Sequence, residues 1–569
     1  MKTSGRRKGL AWVASLSFIF LLGLSFPGAV FPSVSGVALS AANGSSTLTW
    51  SDPYSMVTYR IPGSNNSLPW GIAAAPDGKI WFVEQGTNQL GSYDPYNGTF
   101  AQYDIPTPRS APSEVAVDAN GNVWFTELTA NNLGELKAGG SKVVEIHIPP
   151  ATVSLAGTSQ SVDCNPGAVL PDPSGSIWVA CLSSNQIDEF FPNNGTFARF
   201  NLPVFNSAPA GLALDGKGDL WFTAADADML GKAVVSQLRN GTTDGITETA
   251  PINDTYLYTF VHATSFLGTT ENLTSSLPTP SGIAIDSSGR IWITEHVDSS
   301  FDSFNPATST LVKYWTSQTF DAYGYSVSFP NGIAAAANGD VWIGEHYGNR
   351  IALFDPSAGV MTEYPVSCCR TTIAGVYSIA LDRNGTLWFV EISGNSIGEL
   401  VKTKTPFVLS ASIDTSATIT SDGTAQVPIN FTGSPGSLDA LDFSASGVSS
   451  TGASRNLTAT FAPANATVSA SGTTGTTLTL KASGLSPGVY YLTVTAKALP
   501  RDVLYSAVLK LTVTESRGIP LPLEYGVPGA VIFAAAAVYT AWKLTRTRRR
   551  RLEAPGPSLA CAAPPNGFN

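Results

Sequence analysis

Seven tryptophans are each preceded, three residues earlier, by a glycine: Gly78 and Trp81, Gly121 and Trp124, Gly175 and Trp178, Gly218 and Trp221, Gly289 and Trp292, Gly339 and Trp342, Gly385 and Trp388. Short apolar runs flank each glycine, as in Gly71-Ile72-Ala73-Ala74-Ala75 before Gly78 and Ile80-Trp81-Phe82-Val83 after it. Two such runs around a glycine turn read as a hairpin. Downstream come Asn-x-Leu/Ile-Gly (Asn88 to Gly91, Asn395 to Gly398), an Asp-Pro turn (Asp94-Pro95, Asp355-Pro356), then an aromatic and Ile-Pro, which supply a third and a fourth strand. The tryptophans are spaced by 43, 54, 43, 71, 50 and 46 residues. A four-stranded unit of this size leaves one face apolar, and radial stacking buries it, so the pattern predicts a seven-bladed β-propeller over residues 56–402 with the tryptophans between blades. The seventh repeat ends near Leu400 without its fourth strand, while Val57-Thr58-Tyr59-Arg60-Ile61-Pro62 precedes the first repeat with nothing to join. That segment is expected to complete blade seven and close the ring.

Both ends of the chain read as membrane-directed. Lys2, Arg6, Arg7 and Lys8 precede an apolar run from Leu10 to Phe31 and a small-residue stretch at 37–42, the layout of a secretory signal peptide over residues 1–42, followed by a linker at 43–55. An uncleaved anchor is the competing reading of that run. Residues 519–543 are apolar enough for one transmembrane helix, and Arg548 to Arg551 behind it assign the basic tail, 544–569, to the cytoplasm. The remaining chain is then extracellular on a cell membrane, which suits eleven Asn-x-Ser/Thr sequons between the apolar runs, as expected of a glycoprotein. Without the terminal basic clusters and Glu524 and Glu553, 22 basic and 40 acidic residues remain. Such an acidic exterior is a poor partner for nucleic acid.

The repeat unit, seen in Ser281-Gly282-Ile283 through Trp292-Ile293-Thr294-Glu295 and in Gly121-Asn122-Val123-Trp124-Phe125-Thr126-Glu127, resembles the virginiamycin B (streptogramin B) lyase family over residues 56–402. The resemblance implies a seven-bladed fold and a magnesium-dependent carbon–oxygen lyase that linearises a cyclic depsipeptide. In that family histidines stand at the x of Pro-x-Gly in the last two blades. Here this position reads Trp70, Ser113, Gly167, Ala210, Ser281, Asn331 and Tyr377, with no histidine among them. The family's glutamate on the last Trp-x-x-Glu motif has its counterpart in Glu391.

Abstraction of a proton beside an ester needs a base near neutral pH, most readily a histidine. His296 and His346 follow Glu295 and Glu345 on adjacent blades, on the mouth where the family's site lies, and are the candidate catalytic residues. The Trp-x-x-Glu position yields Glu84, Glu127, Glu295, Glu345 and Glu391, with Cys181 and Ala224 in the remaining blades. Such a carboxylate rim could hold a hard cation, Mg2+ or Ca2+, with Glu295, Glu345 and Glu391 as ligands; alternatively each glutamate is a structural part of the repeat. Trp70, Asn331, Tyr377, Glu84 and Glu127 are the candidate ligand-binding rim.

Cys164 and Cys181 flank one hairpin and are expected to form a disulfide, a free Cys181 being the alternative. For the adjacent Cys368 and Cys369 a vicinal disulfide, two thiols and a metal site stay open. The long interval between Trp221 and Trp292 reads as a decorated loop, and Trp315, Phe320, Tyr323 and Tyr325 mark an aromatic loop that either docks a glycan or protein or packs locally. From 403 to 516 alternating Thr, Val, Ser and Ala predict a β-sandwich stalk. Leu485-Ser486-Pro487-Gly488-Val489-Tyr490-Tyr491 resembles a hairpin of immunoglobulin-like (Ig-like) surface modules. The whole reads as an all-β protein with one C-terminal transmembrane helix, and its function as binding of an extracellular small molecule, glycan or protein. The competing reading is a divalent-metal-dependent lyase or lactone hydrolase at the propeller mouth.

Overall fold

The computed structural model describes residues 46–515 except 156–157, 205, 241–249, 252–255, 260–278, 297–298, 317–327, 367–374, 434–437, 447–456, 470–472, 486 and 500. The segments expected to be signal peptide, transmembrane helix and tail, together with Cys368, Cys369, Phe320, Tyr323, Tyr325 and most of the expected decorated loop, lie outside these residues. Among the described residues no helix is long and apolar enough to cross a membrane.

Seven four-stranded antiparallel units follow the seven repeats, and their innermost strands (Pro69–Ala74, Pro112–Val117, Pro166–Pro171, Pro209–Leu214, Pro280–Ile285, Pro330–Ala335, Val376–Leu381) touch one another in a closed ring. Residue chemistry explains each unit. The glycine before each tryptophan holds φ between 77° and 94°, a turn conformation that side chains other than glycine resist. In blades two to five an aspartate six residues before the tryptophan accepts its indole N–H at 2.9–3.2 Å. The same carboxylate in blade two also accepts the backbone N–H groups of Asn120 and Asn122, so one side chain sets both the turn and the ring.

A second rule couples strands two and three. Gly91, Gly134, Gly231 and Gly398 pair with Phe82, Phe125, Phe222 and Phe389, and a Cβ on any of these glycines would lie 2.2 Å or less from the phenyl ring. Where a smaller Val179, Ile293 or Ile343 replaces the phenylalanine, its partner becomes Asp188, Asp302 or Ala352. The glycine of Asn-x-Leu/Ile-Gly is therefore space left for a ring.

The asparagine of that motif staples successive blades. Asn395 is the case that closes the ring: its Oδ1 accepts the Ser67 N–H at 2.7 Å and its Nδ2 donates to the carbonyls of Ile61 and Ser64. Strand Ser46–Arg60 runs antiparallel to Ser396–Ile413, with Tyr59 opposite Ile397, and completes blade seven as the orphan segment suggested.

The same two strands run on into the second unit. Ser46–Asp52 pairs with Phe407–Ile413, so part of the stretch read as a 43–55 linker is strand, and the boundary at 402/403 falls inside one continuous strand. A repeat-based reading missed this because residues 46–52 belong to no repeat. Two sheets enclose a separate core of Leu409, Phe431, Leu478, Leu492, Leu509 and their neighbours. Strand Val503–Thr514 of this unit also pairs with the outermost strand of blade six, Val360 opposite Ala507. Arg350 of blade six donates to the carboxylate and the carbonyl of Asp502 at 2.9 and 2.7 Å, and the Trp50 indole donates to the Ser506 carbonyl. The second unit is welded to the propeller along one side, not tethered by a linker.

Candidate functional site

Every second strand ends opposite the first residue of an innermost strand, Glu84 against Pro69, Glu295 against Pro280, Glu345 against Pro330 and Glu391 against Val376, so the repeated glutamates lie toward one mouth. Their side chains do not serve it. Strand alternation sets each glutamate on the face of the residue two before it, Phe82 for Glu84 and Ile343 for Glu345, which covers strand three and points away from the axis. All five are fully buried. Glu84 accepts from Thr87 Oγ1 at 2.9 Å and from Gln102 Nε2, on the outermost strand of its own blade, at 2.8 Å. Glu127 faces Asn132 on the third strand and Glu145 on the outermost strand of its blade, and Glu345 faces Glu363 on the outermost strand of blade six. Among the described residues no three His, Cys, Asp or Glu side chains are placed to hold a metal ion. Glu295, Glu345 and Glu391 thus do not form the expected ligand set for Mg2+ or Ca2+, and Glu84 and Glu127 are not part of a ligand-binding rim. The physical reason is the strand period of two.

His296 and His346 do reach the mouth. Their rings stack 5.9 Å apart, His296 also stacks on Phe329 at 5.2 Å, and its Nδ1 lies 3.2 Å from the Pro330 carbonyl. His346 meets Tyr377 edge to face at 5.3 Å, and its Nδ1 is buried with no hydrogen-bond partner. Burial pushes His296 down to about 4 against the carbonyl's opposing pull, and burial together with the neighbouring His296 pushes His346 down to about 3. Both imidazoles are neutral in any mildly acidic or neutral medium and weak as bases.

The three positions read from Pro-x-Gly divide. Tyr377 and Trp70 pack ring to ring at 4.3 Å, and Asn331 spends its amide N–H on the Tyr377 carbonyl at 3.0 Å. Trp70 and Tyr377 therefore form the wall and Asn331 braces it. All three remain partly open to solvent.

One residue escaped the sequence reading. Glu114 is the only charged residue on the seven innermost strands, and it stands where four blades have the glycine of Pro-x-Gly. Burial raises its carboxyl to about 8, and its charge acts on Tyr377, whose phenol is raised to about 12 first by burial and then by Glu114. The break in the motif at Ser113-Glu114 was the available signal. Opposite this wall, Cys164 and Cys181 are joined by a disulfide with their Cα atoms 4.4 Å apart, which occupies the rim-glutamate position of blade three.

The mouth thus carries an aromatic and imidazole wall from blades five, six, seven and one, with the Glu114 carboxyl of blade two acting on it. Residues 41–157, the closing strand and the first two blades, match the virginiamycin B lyase family. The first two repeats are virginiamycin B lyase-like. Among solved structures a streptogramin B lyase is 22% identical, covering 62% of this chain and 98% of its own, with a TM-score of 0.49. Virginiamycin B lyase from Staphylococcus aureus is 21% identical, covering 61% and 99%, also with a TM-score of 0.49. No curated protein matches. Against the virginiamycin B lyase-like pattern, the histidine-bearing positions hold Asn331 and Tyr377, and the two histidines at this mouth come from the ends of the neighbouring second strands.

Proposed function

We propose that the chain is a membrane-anchored extracellular binding protein: a seven-bladed propeller carried on an Ig-like module, with residues 1–42 as signal peptide and 519–543 as the single membrane helix. Its mouth binds a ring-rich organic molecule without breaking it. The observation that carries this reading is the wall formed by Trp70, Tyr377, His346 and His296, four rings linked in a continuous chain of contacts that offers faces and edges for stacking, with Glu114 as a neutral hydrogen-bond donor. Elimination would need a base near neutral pH, and burial lowers the basicity of both imidazoles, which favours binding over cleavage.

Incubating the purified chain with a streptogramin B, with and without magnesium, tests the reading. Mass spectrometry of the antibiotic should show it intact. Ring opening that requires His346 would overturn the proposal in favour of the lyase reading.

A further inference from the structure

The seven innermost strands carry apolar or neutral residues at every position but one, Glu114. Its strand lies directly against that of Trp70: a Cβ on Gly71, the residue after Trp70, would come within 2.7 Å of the Ser113 carbonyl and 2.9 Å of the Glu114 Cα. Trp70 in turn packs on Tyr377, on which the Glu114 charge acts. All three residues are partly open to solvent. Among the described residues the Glu114 carboxyl meets no hydrogen-bond donor and no basic group; its backbone N–H alone is engaged, donating to Thr126 Oγ1 at 3.0 Å. The acid thus stands beside ring faces that are themselves negative, and the imidazoles completing the wall are neutral. A positive group entering here is attracted twice, by the rings and by the carboxylate. Between the two terminal apolar runs the chain carries 40 acidic against 22 basic residues, a surplus that draws cations toward it.

We propose that the ligand of this mouth is an organic cation, a ring-bearing ammonium seated between the Trp70–Tyr377 pair and the Glu114 carboxylate. The inference rests on the mouth being the binding site and adds the charge of what it binds. Without ligand, burial holds the Glu114 proton on up to a pH of about 8. A neutral ligand meets that proton as a hydrogen-bond donor, whereas a cation takes its place: the O–H bond breaks, the proton leaves to solvent and the carboxylate pairs with the ammonium. No covalent bond to the ligand forms. Binding of a cation is therefore linked to proton release below about pH 8. The other groups of the wall are silent between pH 6 and pH 9, because burial holds the Tyr377 phenol up at about 12 and His296 and His346 down at about 4 and 3. Glu127, opposite Pro112 at the start of the Glu114 strand, is also raised to about 8, but it faces Glu145 on the outermost strand, and a variant of Glu114 separates the two.

The test titrates the full chain with three ring-bearing probes, followed by tryptophan fluorescence and calorimetry: benzyltrimethylammonium, whose charge is the same at every pH, neutral benzyl alcohol and anionic phenylacetate. At pH 9 the cation should bind about tenfold more tightly than the alcohol, and phenylacetate most weakly. From pH 9 to pH 6 the cation's affinity should fall about tenfold, with protons released to the buffer on binding, and the alcohol's should not follow it. Glu114→Gln should flatten this pH dependence and remove most of the cation's advantage over the alcohol. Equal binding of cation and alcohol, a level cation affinity from pH 9 to pH 6, or a Glu114→Gln profile like that of wild type overturns the proposal and leaves a ring-binding mouth in place. If none of the three probes binds at millimolar concentration, the binding reading itself falls with it. Should Glu114→Gln fold poorly, the wild-type pH profile with the fixed-charge probe decides alone.

Discussion

Trp70 and Tyr377 meet with ring centres 4.3 Å apart across the junction of the first blade and the last, so the wall of the mouth is built where the ring closes. Tyr377 is braced from behind by Asn331 and touched at its edge by His346. Removing one ring should therefore weaken both the wall and the closure. Trp70→Ala is expected to lower stability by about 1–3 kcal/mol, from lost burial and aromatic contact. It should also abolish any quenching of tryptophan fluorescence by a bound streptogramin B. Urea denaturation and fluorescence titration of the same variant measure the two effects.

Glu114 offers a cleaner reading of the mouth's electrostatics. Its carboxyl is held up at about 8, so the folded protein keeps this proton through a range in which the unfolded chain gives it up, and stability from this group falls as pH rises from about 4.5 through about 8. Glu114→Gln should leave the midpoint at pH 5 nearly unchanged and raise it at pH 9 relative to wild type. The histidines act in the opposite direction: His346 and His296 resist protonation in the fold, so their contribution is complete above about 6.5 and is lost as pH falls toward 4 and 3. His346→Gln should remove part of the acid-side loss, read from midpoints between pH 3 and pH 6.

The phenylalanine–glycine rows predict a compensating pair. Gly134→Ala drives a methyl into the Phe125 ring and should cost about 1–3 kcal/mol as an overpacked core. Blade six already carries Ile343 opposite Ala352, so Phe125→Ile in the Gly134→Ala background should recover part of the loss. A double-mutant cycle by urea denaturation measures the coupling.

Asn395 makes the same kind of argument for closure. Four polar contacts tie it to Ile61, Ser64 and Ser67, more than 300 residues away in sequence, and the site is buried. Asn395→Ala leaves these groups without partners and should cost about 2–4 kcal/mol, at about 1–3 kcal/mol for each group that stays buried. Hydrogen exchange should rise first at residues 57–61 and 396–400, where the closing strand pairs.

These cases also show what could be read in advance. The turn glycines, the tryptophans and the asparagine staples are local demands repeated blade after blade, so each leaves a mark at fixed spacing, and the Cys164–Cys181 pair was legible because the two cysteines flank one hairpin. The direction of Glu295, Glu345 and Glu391 was legible too, since each shares a strand face with the residue two before it, but adjacency to His296 and His346 suggested convergence where alternation forbids it. Glu114 was visible only as an exception to Pro-x-Gly. The fusion of the second unit to blade six left no periodic trace, because it depends on pairing between residues some 150 positions apart.

That fusion has a consequence for unfolding. Arg350 is nearly buried, and its two hydrogen bonds to Asp502 sit at the seam where Val360 to Glu363 pair with Leu504 to Ala507. Asp502→Ala leaves the guanidinium with only the backbone carbonyl and removes the carboxylate that Lys497 also contacts. Because Asp502 itself is more than a third exposed, screening by water limits the ion pair's share, and the loss comes mainly from the stranded Arg350. The expected cost is about 1–2 kcal/mol. Its signature should be a change in cooperativity: wild type unfolds its two units in one transition, whereas Asp502→Ala splits or broadens it, with blade six and strand Val503–Thr514 exchanging hydrogen ahead of the rest. Calorimetry of the two proteins side by side, with hydrogen exchange on residues 360–365 and 503–507, distinguishes a welded pair of units from two that merely share a chain.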